Sequence, residues 1–292
     1  MKIFGGERFC IILTFFIIML FLSIALIVSR YLSEETNIGL WLRVSDLGTE
    51  AFYIVIGLAI YYLYNPYVGF ATILSLVLSG SLNSFLKEFF AMPRPPNPKV
   101  PAEGYGFPSG HAQNTTVFWG TLTLLSRSAC LLLLSVFLIA IVSYSRVFLG
   151  VHYIHDVVGG VFIGLVLVSA MYYAVLRIKS IITRDITLII ISILFSLLSY
   201  LYTRDLTVLK LSAVSLGASM HLLVFTRRNY VNVERRFSRR MIGFATSLVV
   251  VFAILYSTRS LALTSAVATY VIYSVVGLLI PSIYLIITRV IR

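Results

Sequence analysis

Apolar runs of about 20 residues recur along almost the whole chain, and such a run has one stable home: a helix crossing a hydrocarbon core roughly 30 Å thick at about 1.5 Å rise per residue. Lipid offers no hydrogen bonds, so each backbone N–H and C=O must be satisfied within the segment. The runs lie near residues 9–29, 49–65, 67–86, 111–126, 129–148, 156–176, 185–202, 206–226, 241–258 and 266–288. The split between the second and third rests on the turn chemistry of Asn65-Pro66 alone. Composition agrees: 59% of residues are hydrophobic and only 12% charged, against about 25% charged in soluble domains. No polar stretch between the runs is long enough to house a separate soluble domain. The expected fold is therefore all-α, a polytopic integral-membrane helical bundle. After about Arg177 the helices lose nearly all polar punctuation, which sets residues 1–177 apart from residues 178–292.

The net charge of +12 would suggest nucleic acid in a soluble protein, but here the basic residues sit in short segments between apolar runs. Placing the amino terminus in the cytoplasm and alternating sides puts most of the 23 Lys and Arg residues inside, among them Lys2, Arg8, Arg127, Arg177 and the Arg227–Arg240 segment. Both termini are expected to be cytoplasmic. The Arg227–Arg240 segment reads as a solvated loop against anionic lipid headgroups. The first run follows Lys2 and Arg8 with no marked cleavage site and reads as a retained helix. Cys10 and Cys130 belong to no CxxC or Cys/His pattern, so neither a disulfide nor a zinc site is implied.

Three polar segments fall on the outer side in that topology: Lys87–Pro95, Pro108–His111 and Ser145–Asp156. Ionisable groups at membrane helix ends are costly to keep, and three such segments on one face point to a site. In the first, Lys87 supplies a compact charge and Arg94 a planar fork of donors, a pair suited to phosphoryl oxygens, although either residue alone is also what an interfacial anchor looks like. In the second, Ser109 is placed to cap a helix beginning near His111, whose free N–H groups would attract an anion. Gly110 admits close approach, and His111 can move a proton near neutral pH. In the third, His152 and Asp156 stand four apart, which on a helix puts imidazole and carboxylate on one face. Arg146 adds a cation and Ser145 a hydroxyl. His155 is an alternative partner, but helical geometry turns it away and makes it a neighbour of the acid in sequence only.

Written as KX6RP, PSGH and SRX5HX3D, these segments resemble the signature of the type-2 phosphatidic acid phosphatase and vanadium haloperoxidase superfamily, matched in full over residues 87–156. The resemblance implies a six-helix core in residues 1–177 with its site at the extracytoplasmic mouth, followed by about four further helices in residues 178–292. It implies that His152 attacks phosphorus to form a phosphohistidine, that Asp156 orients it, and that His111 protonates the leaving oxygen. Lys87, Arg94, Ser109, Gly110 and Arg146 would hold the phosphoryl oxygens, with no metal or other cofactor.

A site at the mouth of an apolar bundle favours a phosphorylated membrane lipid as substrate. The sequence GFPSGHAQ, with Gln113 after the motif histidine, is similar to dolichyl and other polyprenyl diphosphate phosphatases. Polyprenyl diphosphate stands first, then phosphatidic acid or phosphatidylglycerophosphate, then transfer of the phosphoryl group to another lipid. A haloperoxidase is disfavoured because those relatives are soluble. A transporter would line a path through the bilayer with charge, and almost none is found there. His221 and Lys210 are isolated and read as packing or interface residues.

Overall fold

The computed structural model of the protein describes residues 33–178, 181–225, 237–260 and 265–290, with the isolated positions 14 and 19. The run expected at 9–29, most of the Arg227–Arg240 segment and the side chain of His221 lie outside the described residues. The described part is helical without strands. Its helices are α1 (Glu34–Asp46), α2 (Glu50–Ala59, continuing as a π turn Ile60–Tyr64), α3 (Pro66–Phe90), α4 (Gly110–Ser126), α5 (Ala129–Phe148), α6 (Ile154–Arg177), α7 (Ile181–Thr203), α8 (Leu206–Phe225), α9 (Phe237–Ser260) and α10 (Ala266–Val290). Six of them are long and apolar enough to cross a membrane, or seven if α1 and α2, bent by 46°, count as one span. The protein is a multi-pass membrane protein.

The helix limits have local causes. Asn65 Oδ1 accepts from the N–H groups of Tyr67 and Val68 at 2.9 and 3.2 Å, and Pro66, which has no N–H to lose, opens α3. Ser128 Oγ caps α5 at Leu131 N–H. One element was not expected. The segment ahead of the second run holds α1, begun by Ser33, whose Oγ accepts from Thr36 N–H, and by Glu34 and Glu35 in the first turn. Carboxylates there complement the helix dipole, but they also break up any apolar run. Cys130 is disulfide-bonded, contrary to the reading of no disulfide. Cys10 is outside the described residues.

By contacts the chain forms two compact units, Met1–Tyr53 with Leu86–Ala170, and Ile54–Phe85 with Met171–Arg292. In the second, Tyr61, Tyr62, Phe70, Leu74, Ile189, Val251, Val276 and Tyr284 build the core. The Tyr62 hydroxyl donates to Ile280 O and accepts from Ser247. Arg240, expected at headgroups, instead donates to the carbonyls of Tyr62 and Tyr64 at 2.6 and 3.1 Å, satisfying oxygens that the π turn leaves free. Lys210 stands over the Tyr273 ring.

In the first unit α4 packs on α5, and α1 on α5. α4 and α6 also approach closely. A Cβ on Gly160 would lie 2.6 Å from Ser109 O, and one on Gly164 2.7 Å from Thr116 Cβ. The G-x-x-x-G spacing on α6 thus lets two backbones touch, as small residues do between membrane helices. That contact sets the start of α4 beside the start of α6.

Candidate active site

Lys87, Arg94, Ser109, Gly110, His111, Arg146, His152 and Asp156 all belong to the first unit. The third segment is a corner between helices rather than one helical face. Arg146 lies in the last turn of α5, which ends in a Schellman motif: Gly150, at φ +69°, donates to Val147 O and Val151 to Arg146 O. His152 follows in the turn, before α6 begins at Ile154. Asp156, in the first turn of α6, reaches back so that its Oδ2 accepts from Tyr153 N–H at 2.9 Å, the acid half of a capping box. The four-residue spacing therefore works by capping, and it leaves His152 Nδ1 3.4 Å from Asp156 Oδ2.

The tautomer of His152 follows from its other neighbour. Arg94 Nη1 stands 3.2 Å from His152 Nε2, and a guanidinium only donates, so Nε2 presents its lone pair and Nδ1 carries the proton toward Asp156. His152 is held neutral: burial first, then Lys87, Arg94, Arg146 and His111, push its pKa down to about 2. Burial also lowers the Arg94 pKa, with Asp156 opposing.

The two cations of the first segment also shape the loop that leads to α4. Lys87 Nζ donates to Tyr105 O at 2.6 Å, and Arg94 Nε to the carbonyls of Glu103 and Gly104 at 3.0 and 3.1 Å. Arg94 Nη1 also donates to Val151 O at 2.9 Å, tying this loop to the histidine corner. Ser109 N–H donates to Asp156 O at 2.9 Å, which joins the second segment to the third. Gly106 faces the acid, since a Cβ there would lie 3.0 Å from Asp156 Oδ2.

Two expectations need correction. Ser109 opens α4 without capping it: its side chain makes no cap bond, and Oγ is fully buried with no hydrogen-bond partner. A buried hydroxyl costs free energy unless it is bonded, so this oxygen is suited to a ligand. His155 does reach the acid, its Nε2 3.2 Å from Asp156 Oδ1, because the capping turn and not an ideal helix sets its direction. Ser145, by contrast, donates to Val142 O within its own helix.

A family model, the PAP2 superfamily, matches residues 68–180. Phosphatidylglycerophosphatase B of Bacillus subtilis is 30% identical over 138 residues, which span 42% of this chain and 68% of that protein. The chain belongs to the PAP2 superfamily. An undecaprenyl-diphosphatase of Sulfolobus acidocaldarius is 33% identical over 144 residues, covering 46% of this chain and 69% of that relative. A crystal structure of a transmembrane PAP2 type phosphatidylglycerolphosphate phosphatase from Bacillus subtilis matches with a TM-score of 0.44 at 22% identity, over 59% of this chain and 99% of that one. The relatives are phosphatases, in line with the expected hydrolase of phosphoric monoesters or diphosphates.

In this PAP2 chain two residues that the motifs do not name stand against Arg146 and His111. Ser45, at the end of α1 and buried, accepts a short hydrogen bond from Arg146 Nη1. Gly48, just after α1, stands against His111, with its Cβ position 2.9 Å from His111 Cδ2. Neither carries a signal in sequence beyond lying in a polar segment. Ser45→Ala is expected to free the Arg146 fork and raise KM for a lipid phosphate about three- to tenfold, from the loss of about 1 kcal/mol of charge-assisted hydrogen bonding, with kcat changed less. Steady-state kinetics on the solubilised protein check it, and an unchanged KM would mean Arg146 needs no such tether.

Proposed function

We propose that the protein is a metal-independent lipid phosphatase working through a phosphohistidine at the extracytoplasmic or lumenal face, within a core formed by residues 1–177. The observation that carries this is the placement of His152 between Arg94 and the buried Asp156, its Nε2 3.2 Å from Arg94 Nη1 and its Nδ1 3.4 Å from Asp156 Oδ2.

Lys87, Arg94 and Arg146, together with Ser109 Oγ and the N–H of Gly110 at the start of α4, bind the three phosphoryl oxygens. These cations supply the charge neutralisation that a metal would otherwise bring. His152 Nε2 attacks phosphorus as the P–O bond to the leaving group breaks, and His111 gives that oxygen its proton. Asp156 stabilises the positive charge that develops on the imidazole, as a carboxylate does for a catalytic histidine generally. Water then attacks phosphorus with His111 as base, breaking the P–N bond and releasing inorganic phosphate.

The lipid class is supported by apolar residues beside the site, where Phe89, Phe90, Met92, Tyr153 and Ile154 are exposed. Polyprenyl diphosphate, cleaved to the monophosphate, is the leading substrate, in line with the undecaprenyl-diphosphatase relative. Phosphatidylglycerophosphate is the second reading, favoured by the Bacillus relative. Residues 178–292 are given no catalytic task.

The test is phosphate release in EDTA from polyprenyl diphosphate, phosphatidylglycerophosphate, phosphatidic acid and glucose 6-phosphate. The polyprenyl substrate is expected to give the highest kcat/KM, with glucose 6-phosphate at least about 100-fold lower because tail binding is lost. A preference for phosphatidylglycerophosphate would establish the second reading, and no release from any lipid would overturn hydrolysis in favour of phosphotransfer.

A further inference from the structure

We propose that His155 is a positioning residue for the reaction, holding the second oxygen of Asp156 so that the first stays on His152. The inference rests on the phosphohistidine reading above and adds a residue that lies between the fixed positions of the SRX5HX3D motif.

Asp156 is wholly buried, and its two oxygens have different surroundings. Oδ2 takes Tyr153 N–H at 2.9 Å and faces His152 Nδ1 at 3.4 Å. Oδ1 makes no hydrogen bond of good geometry, and His155 Nε2 lies 3.2 Å from it. A buried carboxylate oxygen without a donor is costly, and a carboxylate fixed at one oxygen only can still turn about its Cβ–Cγ bond. The ring of His155 is placed to stop that turn. It stacks on Tyr153 with centroids 5.2 Å apart and planes at 14°, and Phe107 flanks it at 6.5 Å. With its side chain 63% exposed, His155 presents one edge to solvent and the other to the buried acid. A small rotation aligns Nε2–H on Oδ1, as expected for catalytic contacts that tighten when substrate binds.

Asp156 matters most when charge develops on His152, after the substrate is already held by Lys87, Arg94 and Arg146. Loosening the acid should therefore lower kcat and leave KM alone. Two substitutions separate the N–H from the ring. His155→Phe keeps a ring to stack on Tyr153 but loses the donor. His155→Gln loses the ring but places an amide N–H near the former Nε2.

The experiment measures kcat and KM for phosphate release by the full-length solubilised protein, with thermal unfolding of each variant and His152→Ala alongside. H155F is expected to lose about tenfold in kcat, the scale of outer partners that orient a reacting group, with KM within about twofold. H155Q should stay within about twofold of the unsubstituted protein in both. The proposal is overturned if H155F keeps full kcat, if both variants fall alike, or if the change is in KM. Retained activity in His152→Ala would instead remove the histidine nucleophile itself, an outcome separate from the failure of His155.

Discussion

His152→Ala should reduce lipid-phosphate hydrolysis by about 10⁴-fold or more, the largest single effect expected in this protein. No other group is placed to take over. Of the described imidazoles nearby, His155 lies beside Asp156 Oδ1 and His111 against Gly48 at the head of α4, so neither occupies the place of the His152 ring. The cations stay in place in the variant, because Lys87 and Arg94 are anchored by the carbonyls of Glu103, Gly104 and Tyr105 and not by His152 alone. Inorganic phosphate should therefore still inhibit or bind the variant within about threefold of its usual affinity, while turnover vanishes. The unsubstituted protein, quenched in alkali during turnover of a labelled substrate, should carry phosphate on one histidine, and the variant none. The depressed basicity of His152 adds a pH expectation. With its pKa pushed to about 2, the imidazole is deprotonated throughout the ordinary working range, so the nucleophile is not switched off by acid near pH 6. Any loss of rate between about pH 7 and pH 5 then belongs to another group. Hydrolysis at the full rate by His152→Ala would end the phosphohistidine reading.

What could be read in advance divides along physical lines. Helix limits from 49 onward were legible because membrane length and apolarity fix them. The stop at Asn65-Pro66 was legible because an Asn cap before a Pro has few other uses. The site residues could be named from spacing, but spacing does not carry geometry. The corner from Arg146 to Asp156 depends on Gly150 adopting a left-handed conformation and on Asp156 folding back to Tyr153 N–H. A reading that assumed a helix across His152–Asp156 therefore also misplaced His155. Ser109 looked like a cap by type, yet its oxygen points elsewhere, a choice of rotamer that no sequence pattern encodes. Helix α1 was missed because its carboxylates and polar residues hide it from a search for apolar runs. Ser45 became meaningful only once α1 placed it against Arg146. The touching of Gly160 and Ser109 is a contact between distant parts of the chain and leaves no local mark.

Gly160→Ala should cost up to about 100-fold in kcat although the residue touches no substrate. The added Cβ would sit 2.6 Å from Ser109 O, 3.3 Å from Gln113 N and 3.4 Å from Ala112 Cβ. The first two are backbone atoms in the opening turn of α4, where Gln113 N–H donates to Ser109 O at 3.0 Å. No rotamer change can clear them, so α4 and α6 must separate by several tenths of an ångström or more. Ser109, Gly110 and His111 ride on one helix start and Asp156 on the other, and the Ser109 N–H bond to Asp156 O spans the gap. Displacing reacting groups by about 1 Å costs roughly 100-fold in rate. The same strain should lower the midpoint of thermal unfolding of the solubilised protein. Gly39→Ala is the control: nothing lies within 4 Å of a Cβ there, and in a helix interior Ala is better than Gly by about 1 kcal/mol, so activity should hold and stability should not fall. If Gly160→Ala left kcat untouched, the helix starts would not be in this contact, and the joining of the second and third segments through Ser109 and Asp156 would have to be abandoned.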